Sequence, residues 1–447
     1  MSAVLHLGRF RSSPATRTTT PPSTTATGIL LSVATLNVVG LVMVLSSGSV
    51  ASLRKNGSAW DFLVRQGRWT VLGTVALGVG WYVGPALLRR VRALLIAGTM
   101  LLLCAVLVPG IGTAKDGGRR WIDLGPLNLQ PAELAKIALA VWVADLLARR
   151  ARHVADPRMI FIPIAVVAVP ILCLVVLEPD MGTAACIMLV VVGQIIASGV
   201  PAKHLAKAAG VVAVAGGALA LAAPYRRRRI LSFTDPLGSS QAGGYQVAQS
   251  LIGIGSGGPG GVGLGQSRAK WGFLPNAHTD FIFAIISEES GLAGALFVMG
   301  LFVVLAFFGV RAARRATDRY ARLLAIGITT WLVGQAVLNV ATVIGLLPVT
   351  GVPLPFVSYG GSALMVSMAG AGILAGIAAA GDRARAEAAD APRGPGPRTK
   401  AATPSSVADP DRPTRPTRPT RRDAAARRGA PSISGGFADH RSEPNSA

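Results

Sequence analysis

A series of long apolar segments constrains this chain more than any other feature of its 447 residues. About 20 apolar residues are enough to cross a bilayer as a helix, and a helix satisfies its own backbone hydrogen bonds within lipid. With 51% hydrophobic and 15% charged residues, the chain has too little charge to cover a soluble surface. We therefore predict an all-α integral membrane protein of about ten transmembrane helices, at approximately 28–46, 70–88, 93–111, 132–148, 159–177, 181–200, 204–223, 281–309, 321–346 and 361–380.

The distribution of Lys and Arg predicts the orientation, because short cytoplasmic loops are enriched in these residues. The clusters at 89–92, 149–158 and 311–319 outnumber those in the alternate loops, which favours cytoplasmic N- and C-termini. The long loop 224–280, between helices 7 and 8, then lies outside and carries a run of four arginines from Arg226. Long loops cross regardless of charge, so this run does not contradict the assignment.

The net charge of +23 fits a membrane surface better than a nucleic acid. The basic residues lie in short loops and in the C-terminal tail, with no basic patch interleaved with aromatic residues, so anionic lipid headgroups are the expected partner. The composition predicts three regions: a disordered cytoplasmic tail at 1–27, the membrane domain at 28–380, and a basic, Pro-rich disordered tail at 381–447. The three cysteines lie inside apolar segments and are expected to be buried.

Charged and polar residues gather where the predicted third loop enters the fourth helix. Arg119 and Arg120 could bind a phosphate, and Trp121 suits the membrane interface. Pro131 should open the helix, which places Glu133 and Lys136 one turn apart, close to Gln130. Such a pair is either an interfacial ion pair or a functional site, since ionisable groups inside a membrane helix are functional candidates.

Two further outer segments carry candidates of weaker chemistry. Asp180 is expected to cap the helix that follows Pro179 rather than to react. The glycine-rich part of the long loop matches no nucleotide-binding pattern, and its polar residues are candidate substrate contacts: Gln246, Ser250, Ser256, Gln266, Ser267 and Lys270. The Pro- and Gly-rich segment 347–362, which contains Ser358, reads either as a rigid turn or as the lining of a cavity.

Asp280 has two interpretations. It follows His278 and Thr279 at the start of a membrane helix, where an aspartate commonly serves as the N-cap. A carboxylate at the bilayer surface can also act as a general base, since burial raises its pKa. Glu288 and its neighbour Glu289 lie two turns deeper and should face an internal polar cavity, because unpaired acids are costly in lipid.

Taken together, four of these strings resemble the SEDS family of shape, elongation, division and sporulation proteins, over roughly residues 28–380. They are Arg-Trp-Ile at 120–122 with Gln-Pro-Ala-Glu at 130–133; Pro-Asp-Met-Gly-Thr at 179–183; Leu-Pro-Asn-Ala-His-Thr-Asp-Phe-Ile-Phe-Ala at 274–284; and Pro-Leu-Pro-Phe-Val-Ser-Tyr-Gly-Gly-Ser at 353–362. The string at 263–267 is similar to that of the FtsW-type division branch rather than the RodA-like elongation branch. The chain departs from the family at Glu178, where Gln is usual, and at Ser290, where Leu is usual.

The resemblance implies a peptidoglycan glycosyltransferase of the bacterial plasma membrane, acting at the division septum. Its substrate would be lipid II, and the family's essential aspartate falls on Asp280. The resemblance also implies a class B penicillin-binding protein and other divisome proteins as partners. A divalent cation such as Mg or Mn is an open expectation, as are the residues that would bind it. Two other classes remain, a lipid II flippase and a non-catalytic scaffold.

Overall fold

The computed structural model describes residues 23–115, 118–125, 128–222 and 242–390. The run Arg226 to Arg229, the tail before residue 23 and the tail after residue 390 lie outside the described residues. Within the described part the structure is mainly helical, as predicted, with ten α-helices: α1 Thr24–Asn56, α2 Asp61–Leu107, α3 Pro131–Arg149, α4 Pro157–Leu177, α5 Met181–Ser198, α6 Ala202–Ala222, α7 Ala242–Gly257, α8 Ile282–Arg315, α9 Arg319–Val343 and α10 Gly361–Asp390.

Seven helices of the described part are long and apolar enough to cross a membrane, namely α1, α2, α4, α5, α8, α9 and α10. The predicted segments 132–148 and 204–223 correspond to α3 and α6. The helical ends differ from the expected tails, since α1 begins at Thr24 and α10 continues to Asp390. The cytoplasmic location of both termini stays a prediction.

Helix α2 contains the predicted segment 70–88 and most of the segment 93–111, without a loop between them. It has 47 residues, about 70 Å at 1.5 Å per residue and so enough for two crossings, and its midpoint Gly84 breaks the helical conformation with φ 64° and ψ 161° before Pro85. The predicted loop around Arg89 and Arg92 is therefore helical. Both arginines pair with the buried Asp145 of α3, at 2.7 and 2.8 Å, and this pairing compensates a carboxylate that would otherwise be costly there.

Two elements were not predicted. A three-stranded antiparallel sheet follows α2, with β1 at Gly112–Lys115, β2 at Gly118–Asp123 and β3 at Asn128–Leu129. Helix α7 lies in what was expected to be an irregular glycine-rich loop. The expectation for the cysteines was wrong in part, because Cys104 and Cys173 are exposed on the helix surface and only Cys186 is buried.

Small residues allow α10 to pack closely against α2. A Cβ on Gly372 would lie 2.0 Å from the carbonyl oxygen of Leu77, and one on Gly80 would lie 2.4 Å from that of Ala369. Close backbone approach through small residues is how membrane helices associate where lipid removes the hydrophobic driving force. Since α10 begins directly after the segment 347–360, this packing fixes one side of the candidate site.

Candidate active site

Asp280 is not the N-cap of the helix that follows it. Helix α8 begins at Ile282, and its N-cap is Phe281. Asp280 instead lies in a turn that starts at Asn276, whose carbonyl oxygen accepts hydrogen bonds from the backbone N–H groups of Thr279 and Phe281 at 3.1 and 3.3 Å. Asn276 itself has a φ of 56°, a conformation that asparagine tolerates better than most residues. Asp280 therefore stands one residue before the N-cap position at which the sequence placed it.

Residues outside the turn form hydrogen bonds with the backbone of Asp280 and of the two residues before it. Three successive carbonyl oxygens accept hydrogen bonds from other elements: that of His278 from the backbone N–H of Tyr359 at 3.0 Å, that of Thr279 from the Ser358 hydroxyl at 2.7 Å, and that of Asp280 from the Asn339 amide at 2.7 Å. Ser358 also accepts a hydrogen bond from the backbone N–H of Leu354. These bonds fix the position of the Asp280 backbone relative to α9 and the segment 347–360.

The carboxylate of Asp280 lies beside the segment 347–360. A Cβ on Gly351, which has a φ of 73°, would lie 3.6 Å from Asp280 Oδ2. Asp280 is half-buried, so its carboxylate borders both protein and the outside of the fold. Glycine at 351 is therefore required for its left-handed backbone conformation, since a Cβ there would meet the acid only at an ordinary contact distance.

Aromatic rings enclose the other side of the turn. His278 stacks on Phe62 with ring centroids 4.9 Å apart, and Phe62 stacks on Tyr359 at 5.1 Å. Burial raises the pKa of Tyr359, and the nearby Arg65 opposes this rise. Arg65 is half exposed and pairs with Asp61 at 2.9 Å, so a cation lies at the edge of the aromatic cluster.

Beneath the turn, two amides of α9 connect it to a buried ion pair. Lys136 Nζ lies 2.8 Å from Glu133 and 2.9 Å from Gln335, and the Lys136 and Glu133 side chains are almost fully buried. Gln335 in turn donates to the carbonyl oxygen of Pro353 at 2.9 Å. Asn339, one turn later, donates to the carbonyl oxygens of Val352 and Asp280. One polar network therefore runs from the ion pair in α3 to the backbone of Asp280.

Glu288 and Glu289 are buried, and their described partners lie in the loop before Asp280 and in α1. Glu288 accepts hydrogen bonds from the Ser267 hydroxyl at 2.5 Å and from the backbone N–H of Arg268 at 2.8 Å. Glu289 accepts from the Ser46 hydroxyl at 2.6 Å and lies 3.8 Å from Lys270 Nζ. These contacts compensate both acids and tie the loop before Asp280 to α8 and α1.

The backbone groups that the break in α8 at Gly291 leaves unpaired form hydrogen bonds with the same loop. Gly291 has a φ of 66°, which releases backbone groups on either side from the helix ladder. The N–H of Val262 donates to the carbonyl of Glu288, and the N–H of Leu292 donates to the carbonyl of Gly258, at 3.0 and 2.9 Å. Backbone hydrogen bonds thus make residues 257–263 an integral part of the site's framework.

The turn between α4 and α5 forms the opposite wall. The Arg120 guanidinium donates to the carbonyl oxygens of Glu178 and Pro179, at 2.9 and 2.6 Å. Asp180 caps α5 as predicted, accepting from the backbone N–H of Thr183 at 3.0 Å, and it also binds the Gln130 amide at 2.7 Å. This turn reaches the Asp280 side through Gly182, where a Cβ would lie 2.5 Å from the carbonyl oxygen of Thr350.

The remaining predicted residues are spread over the sheet and the long loop. Arg119 is exposed on β2, and Trp121 is half-buried in the same strand. On α7, Gln246 is half-buried, Ser250 is buried and donates to the carbonyl of Val343, and Ser256 is exposed. Gln266 is exposed in the loop after α7.

The sequence reasoning did not single out Gln335, Asn339, Phe62 or Gly351. The two amides carried a usable signal, because Gln and Asn four residues apart in an apolar segment mark one polar helix face. Phe62 and Gly351 carried none, since an aromatic residue and a loop glycine are ordinary in their sequence contexts. In the part of the chain that the structure describes, no three His, Cys, Asp or Glu side chains come together as metal ligands.

The sequence profile of the cell cycle protein family that includes FtsW, RodA and SpoVE matches residues 27–382. The chain belongs to this family. A probable peptidoglycan glycosyltransferase FtsW of Mycobacterium tuberculosis is 40% identical over 357 residues, covering 80% of this chain and 68% of that protein. The stage V sporulation protein E of Bacillus subtilis is 35% identical, covering 79% of this chain and 97% of that protein.

Solved structures of the family share this fold. A chain from a structure described as the coordination of polymerization and crosslinking by a peptidoglycan synthase complex has a TM-score of 0.65 at 30% identity, covering 78% of this chain and 96% of that one. The rod shape determining protein RodA of Thermus thermophilus has a TM-score of 0.59 at 28% identity, covering 78% of this chain and 95% of that one. Membership of this family agrees with the resemblance seen in the sequence.

Proposed function

We propose that this family member is a peptidoglycan glycosyltransferase that polymerises lipid II, with Asp280 as the general base. The observation that carries the proposal is the position of Asp280: hydrogen bonds from Tyr359, Ser358 and Asn339 hold the backbone of its turn, and its side chain lies beside Gly351. Relatives named peptidoglycan glycosyltransferase support the reaction class. The relatives named FtsW support septal action, and the structural relative from a complex that coordinates polymerization and crosslinking supports a class B transpeptidase as partner.

In the proposed reaction, Asp280 takes the proton of the acceptor's GlcNAc 4-hydroxyl. That oxygen bonds to the anomeric carbon of the donor's MurNAc with inversion. The bond from this carbon to the phosphate oxygen breaks, and undecaprenyl diphosphate leaves with the electron pair. The fixed turn around Asp280 would supply orientation, since a carboxylate held near its target avoids the entropy of finding it.

The leaving diphosphate needs cations. Arg120 and Lys136 are both committed to partners inside the protein, whereas Arg119 on β2 is exposed and Arg65 lies at the edge of the aromatic cluster. We therefore assign diphosphate contact to Arg119 and Arg65, and a positioning role to Lys136. A Mg or Mn ion would offset the charge of the diphosphate, with phosphate oxygens and water among its ligands, as is common for Mg at phosphate substrates.

The test is polymerisation of lipid II by the purified protein in detergent. We expect Asp280→Asn to unfold at the wild-type temperature and to make no glycan. Asp123→Asn is the matched control: it makes the same change in an exposed residue of β2, and an asparagine oxygen can still accept the hydrogen bond from Gly125. Polymer formation by Asp280→Asn at the wild-type rate would refute the proposal.

The same assay separates the alternative classes. A flippase has no membrane to act across in detergent, so polymer made there excludes transport as the sole activity. A scaffold would support division without the acid, so complementation of a depleted strain by Asp280→Ala would favour that class.

A further inference from the structure

At the end of α8 opposite to Asp280, a polar cluster joins three helices. Asp382 of α10 accepts a hydrogen bond from the Ser23 hydroxyl at 2.6 Å and pairs with Arg315 of α8 at 2.7 Å. Arg311 of α8 donates to the Thr25 hydroxyl at 3.1 Å. The N-terminus of α1 is thus fixed to the C-terminal parts of α8 and α10, about 30 Å along α10 from its start near the candidate active site.

A cavity of about 640 Å³ opens at this cluster. Its charged lining consists of Arg315, Arg383, Arg385 and Asp382, a formal charge of +2. Asp382 is already paired with Arg315. The excess positive charge of the lining therefore comes from Arg383 and Arg385. Among the contacts described, the Arg383 guanidinium donates only to the carbonyl oxygen of Ala379 at 3.4 Å, and that of Arg385 only to the carbonyl oxygen of Arg314 at 3.2 Å. Since a guanidinium has five N–H donors, both groups have donors left for a ligand. The cavity therefore suits an anion with several acceptor oxygens.

A second cavity continues from the first along the surface of α1 and α8. It has a volume of about 480 Å³, is lined mainly by apolar atoms, and shares Thr24 and Thr27 with the cationic cavity. Along α1 its lining extends from Thr24 to Thr35, about 16 Å, or half of the hydrocarbon thickness of a bilayer. Gly28 forms part of its wall against Phe308, since a Cβ there would lie 2.3 Å from that ring.

We propose that the two cavities together bind one anionic phospholipid, with its phosphate at Arg383 and Arg385 and an acyl chain in the groove between α1 and α8. A cationic cavity at the helix ends, joined to an apolar groove one leaflet deep, matches the order of headgroup and chain in such a lipid. A soluble anion would use only the first cavity, and a neutral lipid would leave the arginines uncompensated. This lipid bridges α1, α8 and α10 at the end of the bundle away from Asp280, so it is distinct from the substrate.

The experiment measures the binding of phosphatidylglycerol to the full-length protein in detergent by native mass spectrometry and thermal unfolding. Phosphatidylcholine with the same acyl chains and inorganic phosphate alone are the comparison probes. We expect phosphatidylglycerol to bind one molecule per chain and to raise the unfolding temperature more than either probe. The double variant Arg383→Gln/Arg385→Gln should bind it about 30-fold more weakly, as expected for two lost surface cations.

The matched control is Arg152→Gln/Arg158→Gln, which removes the same charge from two exposed residues, one between α3 and α4 and one in the first turn of α4, and should bind as the wild type does. Thr27→Trp, at the junction of the cavities, should weaken binding without changing charge. Each variant's unfolding temperature without lipid establishes that it folds. Equal binding of phosphatidylcholine, equal protection by inorganic phosphate, or equal losses in the control and the Arg383/Arg385 variant would each overturn the proposal.

Discussion

Glu178 should make the stability of this protein fall as the pH rises. It lies in the turn after α4 with no exposed surface, and within the described residues neither of its carboxylate oxygens has a hydrogen-bond partner. Burial, and secondarily the negative charge of Asp180, raises the pKa of Glu178 to about 8, against the opposing effect of Arg120. The side chain is therefore a neutral acid in the folded protein at pH 7 and an ionised one in the unfolded chain.

The sign and size of the effect follow from this difference. Between the unfolded pKa of 4.5 and the folded pKa of about 8, the folded state binds more protons, so unfolding becomes easier as the pH rises. At 1.36 kcal/mol per pH unit, the contribution of Glu178 to the free energy of unfolding falls by roughly 3 kcal/mol by pH 7. It falls by at most about 5 kcal/mol above pH 8, where the carboxylate ionises in the folded protein as well.

Glu178→Gln removes this dependence while keeping the side chain's shape. We expect the variant to unfold at a higher temperature than the wild type at pH 8, with the two converging towards pH 5. The measurement is the unfolding temperature in detergent from pH 5 to 9, with Asp123→Asn as an exposed carboxylate control. A variant whose pH profile runs parallel to that of the wild type would refute the reasoning.

Three further substitutions test the network around Asp280. Asn339→Leu removes the donor to two carbonyl oxygens and should lower the free energy of unfolding by about 2–3 kcal/mol and slow polymerisation, measured by chemical unfolding and a lipid II assay. Lys136→Met leaves Glu133 buried without its cation and should lower the free energy of unfolding by about 3–5 kcal/mol. The double variant Glu133→Gln/Lys136→Met should regain most of this free energy in the same measurement. Gly351→Ala should lower the free energy of unfolding by about 1–2 kcal/mol, because alanine disfavours the positive φ of this position. It should also reduce the polymerisation rate more than the affinity for substrate.

Helices were predictable where polar residues bounded an apolar segment. Segments 159–177 and 181–200 match α4 and α5 within two residues, because Pro157 and Asp180 mark the helix starts. The prediction failed at α2, where arginines suggested a loop but remain helical by pairing with Asp145. It also failed at α7, where glycine content hid an amphipathic segment that packs on α8. In both cases a tertiary partner outweighed the local signal.

The sequence motifs of the candidate site were predictable, but the contacts between them were not. The motifs identified Asp280, His278 and Ser358 as candidates, but no pattern in one dimension states that Ser358 and Asn339 bond to adjacent carbonyls of one turn. The chain separation is 79 residues for one of these bonds and 59 for the other. Such contacts depend on how α9 and the segment 347–360 pack, which the local sequence does not determine.

Two aspartates at the starts of membrane helices show why this matters for function. Asp180 and Asp280 stand in similar sequence positions, and capping was a reasonable interpretation of each. The carboxylate of Asp180 is used by Thr183 and Gln130, so its contribution is to the fold. At Asp280 the backbone receives the fastening bond and the carboxylate lies beside a glycine. A side chain that caps a helix cannot also take a proton from a substrate without releasing the helix, so the cap at Asp180 argues against a catalytic role for that residue.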